Sequence, residues 1–477
     1  MYVPRSHDFE KNVAGALADK TLGAALARGR EKFIGGRRTA KEALPEFDAL
    51  SDQAREIKDH VLANLDHYLT RYEAAATQAG ANVHWAATSE DARRIVLDIC
   101  RDVDARSVNK GKSMIAEEIG LNDFLDEHGV RPVETDLGEY IIQLRHEPPS
   151  HIIAPAVHLT RGQVAETFRA NHTGLDPARG LDEPPQLVAE ARQILRQKYF
   201  EAEVGITGAN FLIAETGSSV IVTNEGNGDL SQILPRVHIV LASLEKMVPT
   251  LEDATTLLRL LARSATGQEM SAYTTLSTGP SRPDDADGPE QYHVVLLDNG
   301  RSAMLGTEFQ DMLRCIRCGA CMNHCPVYQA VGGHAYGWVY VGPMGAVLTP
   351  LFVGLEEAHH LPDASTFCGR CEAVCPVQIP LPRMMRRLRE QAFEARLTPP
   401  RYRAGLTLWA RIARRPWLYH RLAAVPARVL GALGRRRGRF RHLPLAGGWT
   451  KFRDLPAPEG RTFQALWAAR RRGEGRR

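Results

Sequence analysis

The 477-residue chain has no run of about 20 uninterrupted apolar residues, so no membrane-spanning helix is expected. The nearest approach, residues 338–355, carries no charge but is broken by two prolines and three glycines, and reads as a buried loop with a short helix. The opening MYVPRSHDFEKN lacks the apolar core of a secretory signal, which makes the cytosol the expected compartment. Cysteine is scarce, eight in all, which excludes a small disulfide-stapled scaffold. In a cytosolic setting those cysteines serve as ligands or catalysts more often than as disulfide partners. No G-x-G-x-x-G fingerprint occurs, so a flavin or nicotinamide site of the Rossmann type is not indicated. No helix-turn-helix candidate precedes the arginine-rich end, and nucleic acid is not an expected partner.

What is present is an ordinary globular balance, 44% apolar and 24% charged, in a chain long enough for about three folded units. The net charge of +4 is unevenly spread: residues 381–477 hold 25 Lys and Arg against 5 Asp and Glu, or +20, leaving −16 for residues 1–380. Within residues 403–439 ten arginines interleave with Leu406, Trp409, Ile412, Trp417, Leu418 and Leu422. An apolar face backed by arginine suits an anionic membrane surface or an acidic protein surface. A peripheral position at the inner face of the membrane is therefore compatible with the expected cytoplasmic location.

Residues 1–80 repeat apolar positions at three-to-four spacing among charges and predict a helical N-terminal arm. From about Asn82, short β-rich runs alternate with amphipathic helices, the pattern of an α/β domain with a largely parallel sheet over residues 81–303. Strands are expected at 107–109, 130–135, 151–154, 210–215, 218–223, 237–241 and 292–297, with a long helix over 186–201 and a loop over 274–290. The clearest helix follows Ser89 and puts Ala92, Ile95, Val96, Ile99, Cys100 and Val103 on one face, so Cys100 is expected in the core. In the α/β region, Lys110 and Lys112 follow a predicted strand where a helix begins, which suits an anionic ligand or two solvated lysines on a turn. Glu215 and Thr216 sit at a hairpin turn, and Asn224 and Glu225 in a polar, glycine-rich strand end. Such loops either bind ligands or simply turn the chain.

The other seven cysteines fall between Cys315 and Cys375. The first block, Cys315-Ile-Arg-Cys318-Gly-Ala-Cys321-Met-Asn-His-Cys325-Pro326, matches C-x2-C-x2-C-x3-C-P at every position. The second, Cys368-Gly-Arg-Cys371-Glu-Ala-Val-Cys375-Pro376, is the same pattern without its first cysteine. That spacing wraps three thiolates round one iron–sulfur cube while the fourth points to a second cluster. Zinc needs four ligands per ion and explains neither the tight run nor the two Cys-Pro steps. Cross-ligation then gives Cys315, Cys318, Cys321 and Cys375 to cluster one, and Cys325, Cys368 and Cys371 to cluster two. The vacant eighth position falls on Ser365, with His359 and His360 as neighbours out of register. Two [4Fe–4S] clusters are expected, the second either with a non-cysteine fourth ligand or as [3Fe–4S]. The helical flanks, including residues 382–394, resemble the α-helical ferredoxin module of succinate dehydrogenase and related flavoenzyme partners.

The phrase RCIRCGACMNHCPVYQAVGGHAYGWVYVGPMG over residues 314–345, with Asn109-Lys110-Gly111-Lys112-Ser113, ITGANFLIAETGS and TNEGNGD, resembles the lactate utilization protein B family. The resemblance runs from about residue 50 to the C-terminal end. It implies an α/β lactate-utilization (LUD) domain, a ferredoxin-type domain over 304–397 and a basic helical region over 398–477. It also implies an iron–sulfur electron-transfer subunit of an L-lactate-oxidising system, beside a cysteine-rich subunit and a second LUD-domain protein. Seven cluster cysteines are the rule in that family. The residues themselves leave two other roles open: a membrane-peripheral relay from another dehydrogenase to quinone, and a redox-sensing, ligand-binding regulator.

Overall fold

Short strands buried on both faces need helices on either side, and that demand organises the computed structural model, which describes residues 4–176, 178–444, 446–450 and 453–474. The strands of the α/β region are β1 (Asn82–Ala86), β2 (Ser107–Lys110), β3 (Arg131–Glu134), β4 (Val204–Thr207), β5 (Phe211–Ile213), β6 (Ser218–Thr223), β7 (Val237–Ser243), β8 (Met247–Val248), β9 (Tyr273–Ser277) and β10 (Gln291–Leu297). Six of them form an all-parallel sheet in the order β1-β10-β7-β4-β2-β3. Every residue of β7 is buried, as a central parallel strand requires. The other four make a mixed sheet, β8-β5-β6-β9. In the parallel sheet β2 leads on to β3 on one side while β4 leads on to β7 on the other. The carboxyl ends of β2 and β4 therefore flank a topological switch point, where open α/β sheets leave a crevice.

The helix Ser89–Asp102 starts at a capping box in which Thr88 Oγ1 accepts from Asp91 N and the Asp91 carboxylate accepts from Thr88 N at 3.1 Å. It buries Ala92, Val96, Ile99 and Cys100 against the sheet, with Cys100 fully enclosed. The predicted long helix begins two residues earlier than its apolar pattern, at Pro184, and ends at Glu201. In β4, Gly205 is obligatory: a Cβ there would stand 1.8 Å from the Ser231 carbonyl oxygen of the helix Asn227–Ile233.

Three strand expectations change. Residues 151–154 form no strand, because the buried His151 ring takes up the backbone: its Nδ1 accepts from Ile153 N at 2.9 Å and Ala154 N at 3.1 Å. That leaves Nε2 as donor to Asn323 Oδ1 at 2.8 Å. The expected loop from 274 begins instead as strand β9, whose β-branched residues pair with β6. β1, β4 and β8 are not among the expected strands, the last two being only four and two residues long.

Residues 1–392 make one compact unit and residues 393–477 another. In the first, the N-terminal helices Phe9–Ala18, Lys20–Glu42, Phe47–Ala63 and Leu65–Gln78 pack on the α/β region and on the cysteine-rich segment. One hydrophobic core holds Phe47 and Leu50 from that arm, Leu257 and Leu261 from the α/β region, and Cys318, Cys325 and Met344 from the cysteine-rich segment. Polar ties accompany it: Arg37 donates to Val374 O at 2.9 Å and Ser51 Oγ to Pro376 O at 2.8 Å. Residues 342–353, read as a short helix inside a buried loop, are the buried helix Gly342–Val353. The second unit contains the helices Pro400–Ala413, Pro416–Gly434 and Phe463–Glu474, with Trp409, Trp417, Leu433 and Phe463 each more than half exposed. Among the described residues no helix is long and apolar enough to cross a membrane.

A buried charge network joins the α/β region to the cysteine-rich segment. Arg301, 1% exposed, donates to both carboxylate oxygens of Glu118, at 2.9 and 2.6 Å. Its Nε lies 2.9 Å from Glu245 Oε2, close enough for an ion pair but without hydrogen-bond alignment. Arg317 donates to Glu245 Oε1 at 3.2 Å, and the Tyr340 hydroxyl donates to Glu118. Removing one member leaves the others charged and dry. Arg301→Met is expected to lower the unfolding free energy by about 3–5 kcal/mol, read as a lower urea midpoint. Adding Glu118→Gln to that variant should recover part of the loss.

Candidate metal centre

The two cysteine blocks repeat one local structure. Arg317 and Phe367, each just before a cysteine, have φ of 60° and 52°, and Gly319 and Gly369, each just after it, have φ of 73° and 76°. The chain then enters the single-turn helices Ala320–Asn323 and Arg370–Ala373. Left-handed backbone at two non-glycine residues is costly and marks a shape held for a purpose. It curls successive N–H groups towards the sulfurs: Ala320 N serves Cys318 and Arg370 N serves Cys368. At the Cys-Pro steps, Val327 and Tyr328 serve Cys325, while Val377, Gln378 and Ile379 serve Cys375, with Ile379 N 3.4 Å from Sγ.

The thiols gather in two sets. Cys318 and Cys321 each feel the charges of Cys315 and Cys375, and Cys375 feels that of Cys315; Cys325, Cys368 and Cys371 form the second group. One interaction, Cys321 with Cys371, crosses between them. All eight cysteines are free thiols. Among the described residues no three of these sulfurs lie within 4.8 Å of one another. A single tetrahedral zinc would require sulfurs about 3.8 Å apart, given a Zn–S bond near 2.3 Å. Thiols not drawn together that tightly are compatible with a larger iron–sulfur cluster. Burial pushes the Cys318 and Cys371 thiols up to about 12 and Cys375 to about 11, so thiolates here require cationic partners.

Exposure differs at one corner. Cys318, Cys325 and Cys371 are buried and Cys315, Cys321 and Cys375 half-buried, whereas Cys368 is exposed, its thiol lowered by the N–H of Arg370 and the Thr366 hydroxyl; the first set, with no exposed member, is the deeper. Ser365, at the corner without a cysteine, accepts from Phe367 N at 3.1 Å. His359 Nδ1 lies 3.2 Å from Glu356 O, and His360 Nε2 is bound to Ser6 O. Round the deep set lie cations: Lys58, Lys246 and Arg317 act on Cys315, and Arg37 on Cys318 and Cys375. Burial draws the Lys58 and Lys246 ammonium groups down to about 8.

Beside that set, at the switch point between β2 and β4, is a cavity of about 220 Å3. Lys112, Asn224 and Glu225, expected from sequence to bind a ligand, line it; Lys110, Glu215 and Thr216 do not. The Lys110 ammonium is fully buried between Glu134 at 2.6 Å and Glu117 at 2.9 Å, which makes it a structural ion pair. Thr216 donates to Ser218 Oγ at 2.7 Å within its turn, and Glu215 is exposed there. Sequence reasoning missed Lys246, Arg317 and Asn227, which also line the cavity. The available signal was the charged pair Glu245-Lys246 set inside the otherwise apolar Leu244–Val248.

Fold and thiols together define a class, an α/β domain fused to an iron–sulfur domain. Residues 69–297 match the LUD domain and residues 311–379 the 4Fe–4S dicluster domain. Lactate utilization protein B of Oceanobacillus iheyensis is 41% identical over 98% of this chain and 97% of its own length. Its Bacillus licheniformis counterpart is 39% identical over 98% of each. The uncharacterized electron transport protein YkgF of Escherichia coli K12 is 39% identical over 96% of each. This chain belongs to the lactate utilization protein B family.

Because Lys110 neutralises the buried Glu134 and the half-buried Glu117, Lys110→Met should destabilise the fold by roughly 3–5 kcal/mol in urea unfolding while leaving the iron content per folded chain unchanged. A loss of iron at full stability would instead tie Lys110 to the metal centre.

Proposed function

We propose that this chain is the iron–sulfur electron-transfer subunit of an L-lactate-oxidising complex, working beside a cysteine-rich subunit and a second LUD-domain subunit. The observation that carries this reading is the division of seven thiols into a set of four with no exposed member and a set of three that reaches the surface at Cys368. Cys315, Cys318, Cys321 and Cys375 would hold one [4Fe–4S] cluster. Cys325, Cys368 and Cys371 would hold the other, with Ser365 or an exogenous ligand at the fourth corner, or as [3Fe–4S]. Bound clusters supply reversible one-electron storage.

The residues of the chain tune and route that storage. Lys58, Lys246 and Arg317 place positive charge beside Cys315, which favours the more negative, reduced state of the deep site. Exposed Cys368 offers a partner its closest approach. Oxidising lactate to pyruvate releases two electrons and two protons, and the chain has two one-electron sites but no nucleotide fingerprint for hydride transfer. The names of the relatives and the dicluster match support the pathway and the task. A cytoplasmic location at the inner membrane face is supported by the exposed tryptophans of the C-terminal unit and the +20 charge of residues 381–477, both suited to anionic lipid.

The complex assembled anaerobically should show cluster reduction on addition of L-lactate, followed by optical bleaching and electron paramagnetic resonance. The isolated chain should show none, and lactate-dependent dye reduction by this chain alone would refute the assignment.

Ligand count makes the second site the more labile, since three thiolates hold it against four for the first. Air exposure of the wild type should therefore give a three-iron resonance signal that Ser365→Cys suppresses and Ser365→Ala does not. An equal signal in wild type and Ser365→Cys would move the vacant corner to His359 or His360.

A further inference from the structure

The cavity at the β2–β4 switch point is not explained by the packing of the domain. Lys246 is 5% exposed and lines it, and among the described residues its ammonium makes no hydrogen bond and no close ion pair, the Glu245 and Cys315 charges acting on it only at longer range. Buried charge without a partner is strongly unfavourable, so the site is built for a charge that arrives with a ligand. Arg317 lines the same cavity with its Nε unpartnered, and buried Asn227 presents an unpartnered Oδ1. Apolar walls from Ile153, Ile221 and Leu261 exclude water and strengthen any charge pairing inside. The two acids on the lining do not answer this need: Asp136 Oδ1 caps Gly138 N and Glu139 N, and Glu225 is exposed.

Lys246 and Arg317 are also, with Lys58, cations that act on Cys315. We propose that the cavity binds a small oxyanion, a carboxylate or a phosphate, on Lys246 and Arg317, and that this anion competes with an added electron at the deep cluster for the same two cations. The proposal rests on Cys315, Cys318, Cys321 and Cys375 holding one cluster; it is independent of lactate and of the partner subunits. Coupling of this kind is reciprocal: reduction weakens the anion by the factor by which the anion disfavours reduction.

The test uses the full, cluster-loaded chain under anaerobic conditions at constant ionic strength in chloride. Acetate and inorganic phosphate are titrated separately by calorimetry, with the protein poised electrochemically in the oxidised or the reduced state. Saturable binding of one probe is expected, about tenfold weaker to the reduced protein. The matching shift is about 59 mV downward in the potential of the deep cluster at saturation, since tenfold in a one-electron couple is 59 mV. Binding of acetate alone identifies a carboxylate site, and binding of phosphate alone a phosphate site. Lys246→Gln and the isosteric Asn227→Asp should each weaken binding at least tenfold while keeping full iron content. Failure of both probes to bind, or binding untouched in both iron-replete variants, overturns the site. Binding equal in the two redox states overturns the competition and, with it, the placement of Cys315 beside these cations.

Discussion

Glu245 is the point on which the rest of the molecule turns. It is 2% exposed and sits directly after β7, the central strand of the parallel sheet. Burial raises a carboxyl, but Arg301, Arg317 and Lys246 outweigh that and bring Glu245 down to about 2. A carboxylate so placed must be matched from within the fold. The two guanidinium groups that match it come from beyond the α/β sheet, one of them from inside the first cysteine block. Pairing Glu245 therefore fixes where Cys315 and Cys318 lie relative to the carboxyl ends of the strands.

The same pairing constrains the positive side. Arg317 must keep its left-handed backbone to reach Glu245 while Cys318 faces the other thiols, and it is steadied by Tyr340, whose ring centre lies 4.8 Å from the guanidinium carbon, and by Met344 Sδ at 3.3 Å. Lys58 arrives from the N-terminal arm and donates to the Glu245 carbonyl oxygen. Arm, sheet and cysteine blocks thus converge on a few buried charges, and this explains why residues 1–392 form one compact unit although their sequence pattern changes twice.

How much the sequence discloses depends on how local the cause is. The cysteine blocks were legible because a ligand set spaced two or three residues apart is a property of a single turn of chain, and the Cys-Pro step fixes the fourth ligand. The helix after Ser89 was legible for the same reason, its cap and apolar face lying within 14 residues. The cavity was only half legible. Lys112, Asn224 and Glu225 come directly after strands or turns and were found; Lys246 and Arg317 reach the same space from 134 and 205 residues beyond Lys112, and no local pattern joins them. Lys110 misled because a lysine at a strand end looks alike whether it faces solvent or, as here, two glutamates, one buried and one half-buried. His151 misled because an apolar run reads as strand until a ring nitrogen takes the backbone donors.

The near-repeat of the two blocks sharpens the meaning of their differences. Backbone shape and N–H donors are shared, so the missing cysteine at Ser365 and the exposure of Cys368 are not consequences of a different local fold. The exposure of Cys368 arises from surroundings: Lys58, Lys246, Arg317 and Arg37 act on thiols of the first set, whereas Cys368 faces outward with Arg370 as its neighbour. Positive charge round the deep site favours accepting an electron, and low dielectric strengthens that bias. On the proposed assignment, an outward site with fewer strong donors exchanges more readily with whatever docks against it. The asymmetry between two otherwise equivalent blocks therefore gives the chain a protected end and an accessible end, which is the minimum a relay requires.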